Sequence, residues 1–333
     1  MTESTRWGIL ATGKIARSFA RDLREVPGAR IAAVGSRTAG SAEAFVQEYA
    51  DPGCRAHASY EALVADPGVD VVYVASPHAL HLEHATLALE AGKHVLCEKP
   101  LTLNTAEAEA MVALARRHDR FLMEAMWMAC HPVIRAVREG FAEGRFGVPR
   151  QVHADLGFVV DRPPGDRLID PALGGGALLD MGVYPLTLAH LVLGPAEELT
   201  ATAGLSETGI DLDVAIAGRY ARGAVAALTA SMTSVSPRVG SIATSTGWVT
   251  LPADFHHPPH AVWTPAGGEP ELVEGLEPVL GTGLGNEAAE VQRCLREGLR
   301  ESPLVPHEQT LRLIRQMDDL RRQIGVRYAA DDA

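Results

Sequence analysis

The chain has 333 residues, 47% of them hydrophobic and 22% charged, and its 30 basic against 42 acidic side chains give a formal net charge of -12. That length exceeds what one compact core organises and predicts two domains with a cleft between them. Acidic charge scattered along the chain would repel a phosphate backbone and supplies no basic stripe, so neither nucleic acid nor membrane lipid is an expected partner.

Cys54, Cys97, Cys130 and Cys294 stand far apart with no CxxC pair, which signals neither a disulfide framework nor a thiolate zinc site. The opening Met1 to Arg6 is polar, without a basic segment followed by an apolar core. Apolar stretches break off before the roughly 18 residues of a membrane span, and a cytoplasmic protein is expected.

From Arg6 to about Glu124, short β-type runs alternate with helical periods, the pattern of βαβ units in a parallel sheet. Strands are predicted at Trp7–Leu10, Ile31–Val34, Val69–Val74, His94–Cys97 and Phe121–Met123, each apolar nearly throughout because both faces would be covered. The first helix carries Ile15, Phe19 and Leu23 at spacing four, and Thr105 is the expected N-cap of a helix over Ala106–Arg116. After a helix over Pro132–Ala142, the texture turns β-rich near Val148. Strands are predicted at Gln151–Val160, Glu198–Leu205, Val214–Tyr220 and Ala224–Ser231 in an antiparallel sheet, the last two joined by Ala221-Arg222-Gly223 as a hairpin. One long helix between Gly176 and Leu193 interrupts them, and two close the chain, near Asn286–Glu297 and His307–Ile324. The predicted fold is α/β: a doubly wound Rossmann domain over 1–125, then an α+β domain with a mostly antiparallel sheet over 126–333.

The first strand runs into Ala11-Thr12-Gly13-Lys14-Ile15-Ala16, the place of a GxGxxG dinucleotide loop. Gly13 lets the backbone approach a pyrophosphate and Ala16 allows close helix packing, but Ala11 replaces the glycine of the tight turn; a small-residue turn without ligand is the plain alternative. The second strand leads to Gly35-Ser36-Arg37-Thr38, where NAD-specific folds place a carboxylate. Here Ser36 and Thr38 can donate to a 2′-phosphate, and Arg37 can pair with it or lie over the adenine, so NADP is predicted ahead of NAD. A solvated surface arginine is the competing reading. The third strand ends in Ala75-Ser76-Pro77-His78-Ala79-Leu80-His81 on the ligand-binding edge, which puts Ser76, Pro77, His78 and His81 among the cofactor candidates. With His84 the histidines have HxxHxxH spacing, but there is no HExxH and no obvious carboxylate ligand nearby, so no metal is expected. His256, His257 and His260 read as parts of a proline-rich loop.

The most specific string is Ala91-Gly92-Lys93-His94-Val95-Leu96-Cys97-Glu98-Lys99-Pro100. It closely resembles the signature of the glucose-fructose oxidoreductase, inositol dehydrogenase and MocA (Gfo/Idh/MocA) family. Within it, Met123-Glu124-Ala125-Met126-Trp127 and Gly174 through Tyr184 look like the dimeric dihydrodiol dehydrogenase, glucose-fructose oxidoreductase and xylose dehydrogenase branch. The resemblance implies an open-faced β domain whose sheet often forms a dimer interface, with nicotinamide held between the domains. It places Lys99 at the family's catalytic lysine, Pro100 at its cis proline, and Glu98 beside them at the cofactor.

Asp180 and Tyr184 stand four apart and would share a helix face, although Pro185 disfavours helical geometry at Tyr184 and weakens that inference. A phenol, with a pKa of about 10, exchanges protons poorly at neutral pH unless a cation is near. Lys99 is the candidate cation, Tyr184 the acid–base group, and Asp180 a residue positioning substrate or lysine. Many family members have histidine where this chain has Tyr184. Arg167 suits a hydroxyl-rich or anionic ligand, and Trp127 could floor a sugar site, with a surface ion pair and a core aromatic as their plain alternatives.

The expectation is an NADP-dependent enzyme interconverting a secondary alcohol and ketone, or an aldose and lactone, on a sugar, polyol or cyclic diol. It would act as a homodimer or dimer of dimers through the second domain's sheet. A nucleotide-sugar ketoreductase, a non-catalytic NADP(H)-binding regulator and a metal-dependent hydrolase are the alternatives.

Overall fold

The computed structural model describes residues 4–332. It divides into two compact units: one runs to Cys130 and takes in Val279–Leu311, the other comprises His131–Pro278 and the chain from Arg312.

In the first unit, β1 (Thr5–Leu10), β2 (Ala29–Gly35), β3 (Arg55–His57), β4 (Val71–Val74), β5 (His94–Glu98) and β6 (Leu122–Ala125) form a parallel sheet in the order β3-β2-β1-β4-β5-β6. Strand order reverses between β1 and β4, the switch point where such sheets bind ligands. Its helices are α1 (Lys14–Leu23), α2 (Ala39–Tyr49), α3 (Tyr60–Val64), α4 (His81–Glu90), α5 (Thr105–Arg117) and α6 (Trp127–Cys130). Phe19 of α1 meets Trp7 of β1 edge-on at 5.4 Å and stacks on Tyr73 of β4 at 3.9 Å, which seats the helix over the switch point. The α5 cap is Asn104 rather than the expected Thr105: its side chain accepts from the Glu107 amide at 2.9 Å, and Thr105 opens the helix instead.

The second unit contains α7 (Pro132–Ala142), β7 (Pro149–Gly157), α8 (Val183–Leu193), β8 (Ala196–Leu205), β9 (Asp211–Tyr220), β10 (Val225–Ser231), β11 (Gly240–Thr244), β12 (Gly247–Leu251), β13 (Ala261–Pro265) and β14 (Glu271–Val273). Its strands form one sheet in the order β14-β13-β12-β11-β7-β10-β9-β8. The β9–β10 hairpin forms as expected, with Arg222 taking left-handed backbone at φ 60° in its turn. The β7–β10 pair is parallel, in a sheet otherwise antiparallel. Along β9 and β10, Val214, Ile216, Ala226 and Leu228 point to the core while Ala215, Ala217, Val225 and Ala227 are exposed, so one face packs and the other is open.

One stretch, Pro171–Leu193, is long and apolar enough to cross a membrane by length and composition, against the sequence expectation, but 78% of its apolar 18-residue window is buried inside the protein. A helix apolar on every side also suits a core, and α8 packs on β7 and β10.

Two helices remain, α9 (Leu284–Arg296) and α10 (His307–Ile324). The sequence reading kept everything after residue 125 in one domain, whereas Val279–Leu311 belongs to the first unit. Asp22, buried at the end of α1, explains the return: its carboxylate accepts from the Thr282 amide and hydroxyl at 2.7 and 2.8 Å and from the Leu284 amide at 3.2 Å. Amphipathicity shows that α9 has a buried face, not which unit buries it.

Candidate active site

The loop after β1 turns at Ala11, whose φ of 76° is the left-handed conformation that glycine supplies in a GxGxxG loop. The alanine does the same geometric task at a cost of about 1 kcal/mol. Gly13 precedes α1 in extended conformation, no side chain caps that helix, and a Cβ at Gly13 would meet open space. Uncapped first-turn amides and an open approach suit a pyrophosphate. Thr12, Lys14 and Ile15 line the same turn in sequence.

Beside it, Ser36 is buried and Arg37 exposed, with no carboxylate following β2. Thr38 has a structural duty as well, because its hydroxyl caps α2 by accepting from the Ser41 amide at 3.4 Å. Ser76 follows β4 with its Oγ buried and unpartnered among the described residues, and the His84 Nδ1 is in the same condition. An open glycine, uncapped amides and polar atoms still lacking partners fit a dinucleotide at this edge.

The three regularly spaced histidines do different things. His81 is wholly buried with a ring nitrogen 2.9 Å from each of two backbone carbonyls, those of Ser76 and Pro100, and as a neutral imidazole it donates its single N–H to one of them. Burial holds its pKa down at about 4. The side chain expected among the cofactor contacts thus lies between the carbonyls of the loop after β4, which holds Pro77 and buried His78, and of the loop after β5. His84 instead lies edge-on to Tyr60, 4.7 Å between centroids.

Strand β5 delivers Glu98, Lys99 and Pro100, and the Lys99–Pro100 bond is cis. Glu98 is buried and accepts from the Tyr73 hydroxyl and from the Lys99 amide at 3.2 Å. Glu124 accepts from the Leu101 amide at 3.1 Å and from the Thr310 hydroxyl at 2.8 Å; burial raises its pKa, and the Lys99 charge opposes the rise. Sequence reasoning gave no role to Glu287 of α9, whose carboxyl is wholly buried without a hydrogen-bond partner among the described residues and is pushed far toward the protonated form by burial and by Glu98. Trp127 begins α6, half-buried.

In the second unit, Asp180 lies in a π-helical turn, Leu178–Gly182, that runs directly into α8 with Tyr184 in its first turn. Pro185 removes an amide at that junction, and the wider turn is the local answer to the anticipated bend. Arg167 pairs with Asp180 at 3.0 Å, so the two candidates meet each other. Tyr184 is buried, with its ring 4.6 Å from that of His256, a neighbour that spacing along the chain could not reveal.

Asp211 anchors this turn. Wholly buried, it accepts from the Leu178 amide at 2.5 Å, and a Cβ on Gly176 (φ 137°) would come within 2.4 Å of its Oδ1. Burial lifts its pKa from 3.8 to about 6. A raised folded-state pKa means that the stability it contributes is fully present below 3.8 and is lost as pH rises through about 6. Asp211→Asn keeps an acceptor and does not titrate. In chemical denaturation across this window, the stability of the variant relative to wild type is expected to improve with rising pH by up to about 3 kcal/mol. A pH-independent difference would show that Asp211 does not titrate there.

Asp254, His256 and His257 bring one potential ligand atom each within 4.8 Å of one another, a grouping not expected from the sequence. Asp254 is already held by Arg238 at 3.1 Å, which competes with a cation for the carboxylate.

A Rossmann sheet with a lysine loop after β5, followed by a unit with a large open sheet, is the architecture of an NAD(P)-binding oxidoreductase. Residues 5–126 match the oxidoreductase family, NAD-binding Rossmann fold, and residues 134–250 match the GFO/IDH/MocA C-terminal domain. The chain belongs to the Gfo/Idh/MocA family. It is 35% identical over 340 residues to trans-1,2-dihydrobenzene-1,2-diol dehydrogenase of Mus musculus, covering 98% of both chains. The Homo sapiens enzyme of the same name is 34% identical over 333 residues, again with 98% of each covered. Among solved structures, KijD10, a 3-ketoreductase from Actinomadura kijaniata in complex with NADP and TDP-benzene, superposes with a TM-score of 0.85 at 28% identity, over 97% of this chain and 98% of that one. The aldose-aldose oxidoreductase of Caulobacter crescentus shares the fold, with a TM-score of 0.87 at 23% identity over 96% and 97% of the two chains.

Proposed function

We propose that this protein is an NADP-dependent dehydrogenase or reductase acting on a CH–OH group of a cyclic diol or sugar-like polyol. The observation that carries the reading is the whole-length likeness to the dihydrodiol dehydrogenases, joined to the Glu98-Lys99-Pro100 loop at the end of β5. The nicotinamide supplies the hydride acceptor or donor. Tyr184 takes the hydroxyl proton in oxidation and returns it in reduction, Lys99 polarises the same oxygen, and Asp180 with Arg167 positions substrate. Absence of a carboxylate after β2, together with Arg37, supports NADP. The relative solved with NADP supports it too. We further propose a cytoplasmic homodimer built on the open face of the eight-stranded sheet, where Val225, Trp248 and Leu272 are 42%, 45% and 57% exposed.

The test follows nicotinamide absorbance with NADP and NAD in parallel across cyclic diols, pentoses, hexoses, inositols and nucleotide sugars. Turnover of a diol or sugar with NADP supports the reading; turnover confined to nucleotide sugars would make this a ketoreductase. Dinucleotide binding without turnover of any of them would favour a regulator. Arg37→Ala is expected to reduce the preference for NADP over NAD by about 10-fold or more in kcat/KM. An unchanged ratio removes Arg37 from the specificity argument.

A further inference from the structure

His84 is a residue that the reaction does not use. It sits on α4, 6% exposed, with Nδ1 buried and unpartnered among the described residues, and its ring stands edge-on to Tyr60 at the start of α3. The third member of this group is Arg37, from the turn after β2. Its charge acts on both rings, opposing the rise that burial gives the Tyr60 phenol and adding to the fall that burial gives His84, and among the described residues no carboxylate forms an ion pair with it. A guanidinium without a counter-ion and a buried imidazole with an unused nitrogen converge from separate segments of the first unit. What such a pair lacks is an anion.

We propose that His84 and Arg37 together receive the 2′-phosphate of NADP(H), flanked by the Tyr60 ring, so that His84 is a second determinant of the choice between the two dinucleotides. This rests on the reading that the edge beside β2 binds the adenosine end of a nicotinamide dinucleotide.

The groups facing His84 set the sign of its response. Burial and Arg37 favour the neutral imidazole, while Glu83 on its own helix and Glu61 on α3 favour the cation; His81, held neutral, lies one turn away. A phosphate dianion adds a strong attraction for the protonated form, so binding NADP draws a proton onto His84. Affinity for NADP then weakens as pH rises through the histidine range, and affinity for NAD does not.

Calorimetric titration of NADP and of NAD into wild type, His84→Ala and Arg37→Ala, each in two buffers of different ionisation heat, tests this. His84→Ala is expected to weaken NADP about 10-fold and to leave NAD within about twofold. The unchanged NAD affinity also reports that the site is intact. Proton uptake should accompany NADP binding to wild type, be absent with NAD, and be lost in His84→Ala. Equal losses for both dinucleotides, or none for either, overturn the role of His84. If Arg37→Ala removes the preference while His84→Ala leaves it, the inference about His84 fails and the NADP reading stands. If wild type binds neither dinucleotide, both fall.

Discussion

Tyr184→Phe is expected to lower kcat by about 10³-fold while leaving the Kd for NADP within about twofold. The change deletes one oxygen and keeps the ring against His256, so packing in the second unit should survive. Lys99→Ala should cost a similar factor if, as proposed, the lysine stabilises charge developing on the same substrate oxygen. Groups that act as a unit are not additive, and the double variant should be little slower than the worse single one. The kcat profile against pH adds a further readout: wild type should show an ionisation that Tyr184→Phe lacks. Should Tyr184→Phe retain full kcat on the substrate found in the panel, the acid–base assignment is wrong.

The parts legible in the sequence are those where burial leaves a one-residue pattern. β1, β2 and β5 carry the apolar runs Trp7–Leu10, Ile31–Val34 and Val95–Cys97 because helices cover both faces, and β9 and β10 alternate because only one face is covered. β3 escaped because Arg55-Ala56-His57 is a short, polar edge strand. The strands from Gly240 to Val273 escaped because they are short and broken by Gly, Ser, Thr, Pro or Glu, without the unbroken apolar run of β4. Motif strings located the lysine loop and the Tyr184 helix. They could not assign the histidines, since HxxHxxH spacing is the same whether a ring holds a ligand or, like His81, lies buried between two backbone carbonyls. Asp211 and His256 are far in sequence from the turn they support, and no periodicity links them to it.

Arg321→Leu should destabilise the second unit by about 3–5 kcal/mol, the cost of breaking a buried ion pair from one side. Arg321 is 3% exposed and donates to Asp318 at 2.7 Å and to Asp331 at 2.6 and 3.0 Å. Its guanidinium lies 4.8 Å from the Tyr328 ring. Leucine fills much of the volume but removes the buried guanidinium to which both carboxylates bond. The damage should reach the site by a traceable route. Tyr328 donates its hydroxyl to the Gly175 carbonyl at 2.8 Å, and Gly175 lies in the glycine turn that launches the segment carrying Asp180 and Tyr184. Thermal unfolding followed by calorimetry should therefore show a lowered transition for the second unit, by roughly 2–4 °C per kcal/mol for a unit of this size. Tyr328→Phe, which loses only the hydroxyl, should cost about 1 kcal/mol. If Arg321→Leu unfolds at the wild-type temperature, the buried pairs do not hold the tail. If it unfolds early but retains full kcat below the transition, the tail stabilises the unit without setting the geometry of the Tyr184 turn.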